Sequence, residues 1–80
     1  MEIFDRVPPQ DLDAERAVLG SMMVRKEAIM EVSEILTSAD FYQPAHETIY
    51  DVIIDLSGRG EPADPITVAG ELQRRGELQR

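Results

Sequence analysis

The chain has no cysteine among its 80 residues, which excludes disulfides and thiolate metal sites and fits a reducing cytoplasm. It has a single lysine, Lys26, with no glycine loop beside it. A phosphate loop ends in Gly-Lys-Ser/Thr, whose backbone N–H groups hold phosphates while the lysine meets their charge. No such segment is present, and Gly58-Arg59-Gly60 lacks the lysine and comes after a helical pattern rather than a strand. It reads as a helix stop and a turn. The one imidazole, His46, has only Glu47 and Asp51 as acidic neighbours, which is no recognisable metal-ligand spacing. Nucleophilic catalysis has no candidate either, with no thiol and with His46 on a helix that serves the core. Long apolar runs are missing too. A membrane helix needs about 20 apolar residues, and Glu2 and Asp5 interrupt any secretory signal. The chain reads as soluble and non-enzymatic, with no catalytic residue, no bound cofactor and no metal.

What the chain has in excess is acid. Sixteen Asp and Glu stand against eight Lys and Arg, a formal net charge of -8. Nucleic-acid binders neutralise phosphates with clustered cations, whereas the dense basic pairs here are only Arg25-Lys26 and Arg74-Arg75. Two Phe, two Tyr and no Trp leave few aromatics for bases to stack on. Direct nucleic-acid binding is therefore not expected, and a protein partner is. Most of the carboxylates read as a solvated surface that keeps a small domain in solution.

Apolar residues make up 42% of the chain and are spaced at helical intervals, which predicts an all-α fold. Residues 1–10 end in Pro8-Pro9 and read as a flexible arm. Asp11 is the expected N-cap of a first helix, with Asp13 and Glu15 in the first turn and Leu12, Val18, Leu19, Met22 and Met23 on its stripe. It should end near Arg25, with Gly20 and Ser21 permitting a close helix approach. Met22 and Met23 read as core filler, or as an adaptable docking patch.

A second helix should carry Ala28, Ile29, Val32, Ile35 and Leu36 inward. Pro44 opens a third, with Ala45, Ile49, Val52, Ile53 and Leu56 buried and Gly58 and Gly60 ending it. Tyr42, His46 and Tyr50 fall roughly along one stripe, which points to a buried polar or aromatic-edge contact, or to part of a partner surface. Asp64 as N-cap and Pro65 open a fourth helix with Ile66, Ala69 and Leu72 inward, closed by Gly76 as a left-handed C-cap. The expectation is a compact cluster of about four short helices over 11–80.

Four short pieces recur in order: Pro8-Pro9-Gln10; Glu15-Arg16-Ala17-Val18-Leu19-Gly20; Asp40-Phe41-Tyr42 with His46, Ile49 and Tyr50; and Arg59-Gly60-Glu61-Pro62 with Asp64, Ile66 and Thr67. In this order and spacing the chain, from about residue 6 to residue 80, resembles the N-terminal head domain of the bacterial replicative helicases of the DnaB family. The resemblance implies a compact helical head. In the family it precedes a Gly-Gly segment and a helical hairpin that pairs subunits; the sequence stops at Arg80 before either and is expected to be truncated there, the missing hairpin pointing to a monomer and weak association of helical heads at high concentration being the alternative.

The resemblance also implies a role. In the family this domain forms a collar on a hexameric ring, pairs with other helicase subunits, binds the C-terminal helicase-binding domain of primase, and influences helicase loading, so a loader is a further possible partner. ATP and magnesium belong to the motor of the parent helicase and map onto no residue here. The candidate partner-binding residues are Asp13 and Arg16, which face away from the Leu12, Leu19 and Met23 stripe. Relatives usually read Glu-Ala-Glu-Gln where this chain reads Asp-Ala-Glu-Arg at residues 13 to 16, so the contact is not expected to be unchanged. A reading from another class is a stand-alone helical adaptor or loader without a motor. The gene sequence beyond Arg80 separates the two.

Overall fold

A computed structural model describes residues 11–76. The expected arm over 1–10, and the last four residues of the expected head, lie outside the described residues. Among the described residues four α-helices occur in order: α1 (Leu12–Val24), α2 (Lys26–Ser33), α3 (Pro44–Gly58) and α4 (Pro65–Arg74), with a 3-10 turn over Ser38–Asp40 between α2 and α3. No strand occurs among the described residues.

Each helix begins and ends for a local reason. Asp11 caps α1 by accepting from the Ala14 N–H at 3.1 Å. One residue, Arg25, then adopts extended backbone (φ -122, ψ 113), ending α1 and serving as the N-cap of α2. Thr37 and Asp40 cap the 3-10 turn reciprocally, Asp40 accepting from the Thr37 N–H at 2.7 Å. Pro44 and Pro65 occupy first-turn positions where no N–H is needed. Asp64 accepts from the Thr67 N–H at 2.8 Å, which with the Thr67 hydroxyl holds its carboxyl below the usual range. Gly60 and Gly76 reverse the chain after α3 and α4 at φ 76 and 77, backbone that a side chain rarely tolerates.

α3 is the centre of the cluster and packs against α1, α2, α4 and the 3-10 turn. Its Val52 and Ile53 are fully buried, and Leu19 and Met22 of α1, Ile29 of α2, and Val68 and Leu72 of α4 close around them. Burying each such side chain contributes about 1.5–3 kcal/mol. Phe41 stacks obliquely on Tyr50 at 5.1 Å. The Tyr50 hydroxyl donates to the Leu36 carbonyl at 2.7 Å, tying α3 to the segment after α2.

Four expected core positions prove to lie outside. Ile35 is 57% exposed because α2 ends at Ser33, after which the helical period no longer applies. Ala45 is exposed, since His46 takes the inward place in the first turn of α3. On α4 the phase set by Asp64 and Pro65 turns Val68, Glu71 and Leu72 inward, and Ile66 and Ala69 are exposed. Gly20 serves no close approach, for a methyl group added there would meet nothing within 4 Å. Met22 is core and Met23 packs half-buried against it.

Glu71 is the one carboxylate that α4 turns into the interior, and its side chain is 8% exposed. Arg74 donates to it at 2.7 Å and Arg75 at 2.8 Å, while Arg75 reaches Asp55 of α3 at 2.8 Å. Those hydrogen bonds, Arg74 first and Arg75 second, outweigh burial and hold its pKa down to about 2. A lowered folded-state pKa contributes stability above the unfolded value and loses it as pH falls through the folded one. Urea titrations of Glu71→Gln against the parent chain should therefore diverge above about pH 4.5 and converge toward pH 2. A second pair checks the observed faces: Ile53→Val should cost about 1 kcal/mol, and Ile66→Val should stay within roughly 0.5 kcal/mol of the parent.

Candidate functional site

α1 divides its polar residues between two opposite faces. Positions two apart on a helix are separated by about 200°, so Glu15 points inward while Asp13 points to solvent. The inward carboxylate crosses to α3. It accepts from the Tyr42 N–H at 2.5 Å and the Gln43 N–H at 3.4 Å, and lies 2.7 Å from His46 Nδ1. Gln43 is the N-cap of α3 and makes no side-chain capping bond of its own. Glu15 thus replaces a local cap, and sets a negative charge where the helix dipole favours one. Burial alone would raise its pKa. The Tyr42 N–H, then His46, then the Gln43 N–H more than offset that, and the carboxyl stays below its ordinary value. As an ionised acceptor it requires His46 Nδ1 to be the donor.

The lone imidazole is therefore a satisfied interior group, one of the two readings its stripe allowed. Tyr50 is buried with it, but Tyr42 precedes α3 and is exposed, so the three do not share a stripe. The partner Glu15 was not anticipated from the sequence. A signal existed: Leu12, Glu15, Leu19 and Met22 keep the inward spacing of α1, so one acid stands in an apolar row. Glu71 between Val68 and Leu72 carries the same signal on α4.

Asp13 and Arg16, the sequence-derived partner residues, lie on the outer face of α1. Their side chains are 90% and 61% exposed and paired with each other through Arg16 Nη2 and Asp13 Oδ1. An exposed pair at this spacing contributes little, so an incoming charged group can replace either member at small cost.

Nucleotide phosphates do not fit the Gly58-Arg59-Gly60 segment. It lies at the C-terminal end of α3, where the helix presents carbonyls and partial negative charge. Arg59 is directed to Glu61 at 3.8 Å and Glu71 at 3.6 Å. Among the described residues no three His, Asp or Glu side chains converge as a metal site, and none of the described helices is long and apolar enough to cross a membrane.

The Glu15 bridge generates a direct expectation. Glu15→Gln should lower stability by about 1–3 kcal/mol at neutral pH, the cost of weakening a charge-assisted acceptor for interior donors. Chemical denaturation measures it. The loss should shrink as pH falls below the ordinary glutamate range, because the depressed pKa contributes only above it.

Comparison with known proteins places this arrangement. Residues 7–80 match the DnaB-like helicase N terminal domain. The replicative DNA helicase DnaB of Mycobacterium leprae is 62% identical over 79 residues, covering 99% of this chain and 13% of that protein. Its counterpart from Leifsonia xyli is 49% identical over 76 residues, covering 95% and 17%. The crystal structure of the N-terminal domain of DnaB helicase from Mycobacterium tuberculosis is similar with a TM-score of 0.86 and 61% identity, covering 92% of this chain and 51% of that one. The chain thus spans a small fraction of these full-length relatives and about half of that solved domain. With four helices about a central α3 among the described residues and a match over residues 7–80, the chain belongs to the DnaB-like helicase N-terminal domain family.

Proposed function

We propose that this chain is the non-catalytic interaction and assembly domain of a hexameric replicative DNA helicase in the cytoplasm, part of the collar on which primase docks. The observation that carries this reading is 61% identity and a TM-score of 0.86 to the N-terminal domain of a DnaB helicase. The motor that would use ATP and magnesium to unwind DNA belongs to the longer protein. The partners are primase through its C-terminal helicase-binding domain, other subunits of the ring and, in loading, a helicase loader.

The chain's own chemistry supports a protein partner over DNA. All five arginines among the described residues engage carboxylates of the chain itself, and the net charge is -8. Single-stranded DNA meets repulsion at such a surface, whereas a protein presenting Lys and Arg is attracted to it. Asp13 and Arg16 are the proposed contact for primase. Their exposure leaves both accessible, and their mutual pair is readily exchanged for one across an interface.

Titration of the primase C-terminal domain into the chain tests the reading by calorimetry. The parent chain should bind saturably, and Asp13→Lys should weaken binding roughly threefold to fivefold, as expected of a rim charge. Its helical circular dichroism should be unchanged, because Asp13 makes no interior contact. Absence of binding by the parent chain would refute the docking role, and unchanged affinity of the variant would move the contact elsewhere.

A further inference from the structure

α4 is held differently from the rest of the cluster. Among the described helices α1, α2 and α3 all pack against one another, whereas α4 packs on α3 and has no comparable contact with α1 or α2. It buries two apolar side chains, Val68 and Leu72, and leaves Ile66, Ala69 and Gly70 exposed. Its backbone bonds are its own. Asp64 caps it, and the Thr67 hydroxyl donates to the Pro62 carbonyl at 2.8 Å. The Glu61 N–H still donates to the Leu56 carbonyl of α3 at 2.9 Å, but beyond it every backbone–backbone hydrogen bond of the described residues stays within the segment. Chain reversals at Gly60 and Gly76 bound it on both sides.

The helix is also weak in itself. It has ten residues, a length that is marginal in water without tertiary support. Gly70 in its middle lowers stability further relative to alanine, and no packing explains that glycine, since a methyl group there would meet nothing within 4 Å. What fastens α4 besides Val68 and Leu72 is charge. Arg75 donates to Glu71 on its own helix and to Asp55 on α3, each at 2.8 Å, and Arg59 after α3 lies 3.6 Å from Glu71. Asp55 is 61% exposed, so this fastening stands at the surface.

We propose that α4 and the loop before it form a separately opening unit: residues 61–76 leave α3 and lose their helix together while α1, α2 and α3 stay packed, with the Arg75–Asp55 and Arg59–Glu71 pairs as the clasp. The domain then has two folded states. In the open one, the strip of α3 beneath Val68 and Leu72 is uncovered, and Asp55, Arg59 and Arg75 are released from this contact. Local opening of this kind falls where buried apolar contacts are few and backbone hydrogen bonds lie near solvent.

Native-state hydrogen exchange of the isotope-labelled 80-residue chain, followed amide by amide across low urea concentrations, tests this. The amides of Val68 to Leu72 should share one protection, at least roughly tenfold lower than that of Val52, Ile53 and Ile54. They should also respond less steeply to urea, because a local opening exposes less surface. Tyr50→Phe removes the bond to the Leu36 carbonyl, which both folded states keep. It should therefore speed exchange in α3 about fivefold and leave α4 within about twofold of the parent. Gly70→Ala favours the closed helix and should slow α4 exchange about fivefold, and Arg75→Met should speed it about fivefold by undoing the clasp. Equal protection of the two helices, or an equal response of both to Tyr50→Phe, would overturn the proposal by making the domain one cooperative unit. Exchange of the α4 amides at unfolded-chain rates would overturn it as well, because no docked state would then exist to open. Unchanged α4 exchange in Arg75→Met would overturn the assignment of the clasp.

Discussion

One carboxylate joins the beginning of the domain to its centre. α3 contacts each of the other described helices, yet its N-terminus has no side-chain cap of its own. Glu15, more than a full helix earlier in the chain, supplies it by accepting two backbone N–H groups and the imidazole of His46. Three interior donors depend on one acceptor. Removing the charge would leave them competing for water in a half-buried site. The bridge also sets the rotation of α1, because with Glu15 inward the Asp13–Arg16 pair faces solvent. The proposed partner face is thus a geometric consequence of a cap made on the other side of the same helix.

The opposite end of the molecule uses charge differently. Glu71 enters the interior of α4 only because Arg74 and Arg75 come on the next turn and Arg59 approaches from the loop. Asp55 extends the group onto α3 through Arg75. This consumes the basic residues that composition alone would leave for a polyanion. The Arg74-Arg75 pair, one of only two dense basic pairs in the sequence, is occupied within the chain. The arginines are thereby committed to carboxylates of the chain itself, and the net charge of -8 remains on the acids they leave unpaired.

Most of the fold was legible because its signals are local. Asp11 and Asp64 as caps, Pro44 and Pro65 at first turns, Gly76 as a left-handed stop and the apolar rows of α1 and α3 each act within a few residues. Boundaries and phases beyond that reach were less legible. Ile35 continued an apparently regular stripe past a helix that ends at Ser33, and Ile66 was grouped with Leu72 although the packed row is Val68, Glu71 and Leu72. The candidate site divides the same way. Exposure of Asp13 and Arg16 is a consequence of helical spacing, whereas the partner of His46 lies 31 residues away and belongs to a different helix.

The sequence by itself determined the all-α class, the starts of α1, α3 and α4, and the family, because composition, capping residues and ordered motifs act without reference to distant chain. The tertiary structure decided which acids turn inward. Glu15 and Glu71 each stand in an apolar row of the sequence, but what they meet is set by folding, which brings an uncapped helix end and His46 to one and Arg59 to the other. A buried charge is stable only where several donors converge on it; helical spacing supplies two of them to Glu71, whereas those of Glu15 converge only when α1 packs against the start of α3.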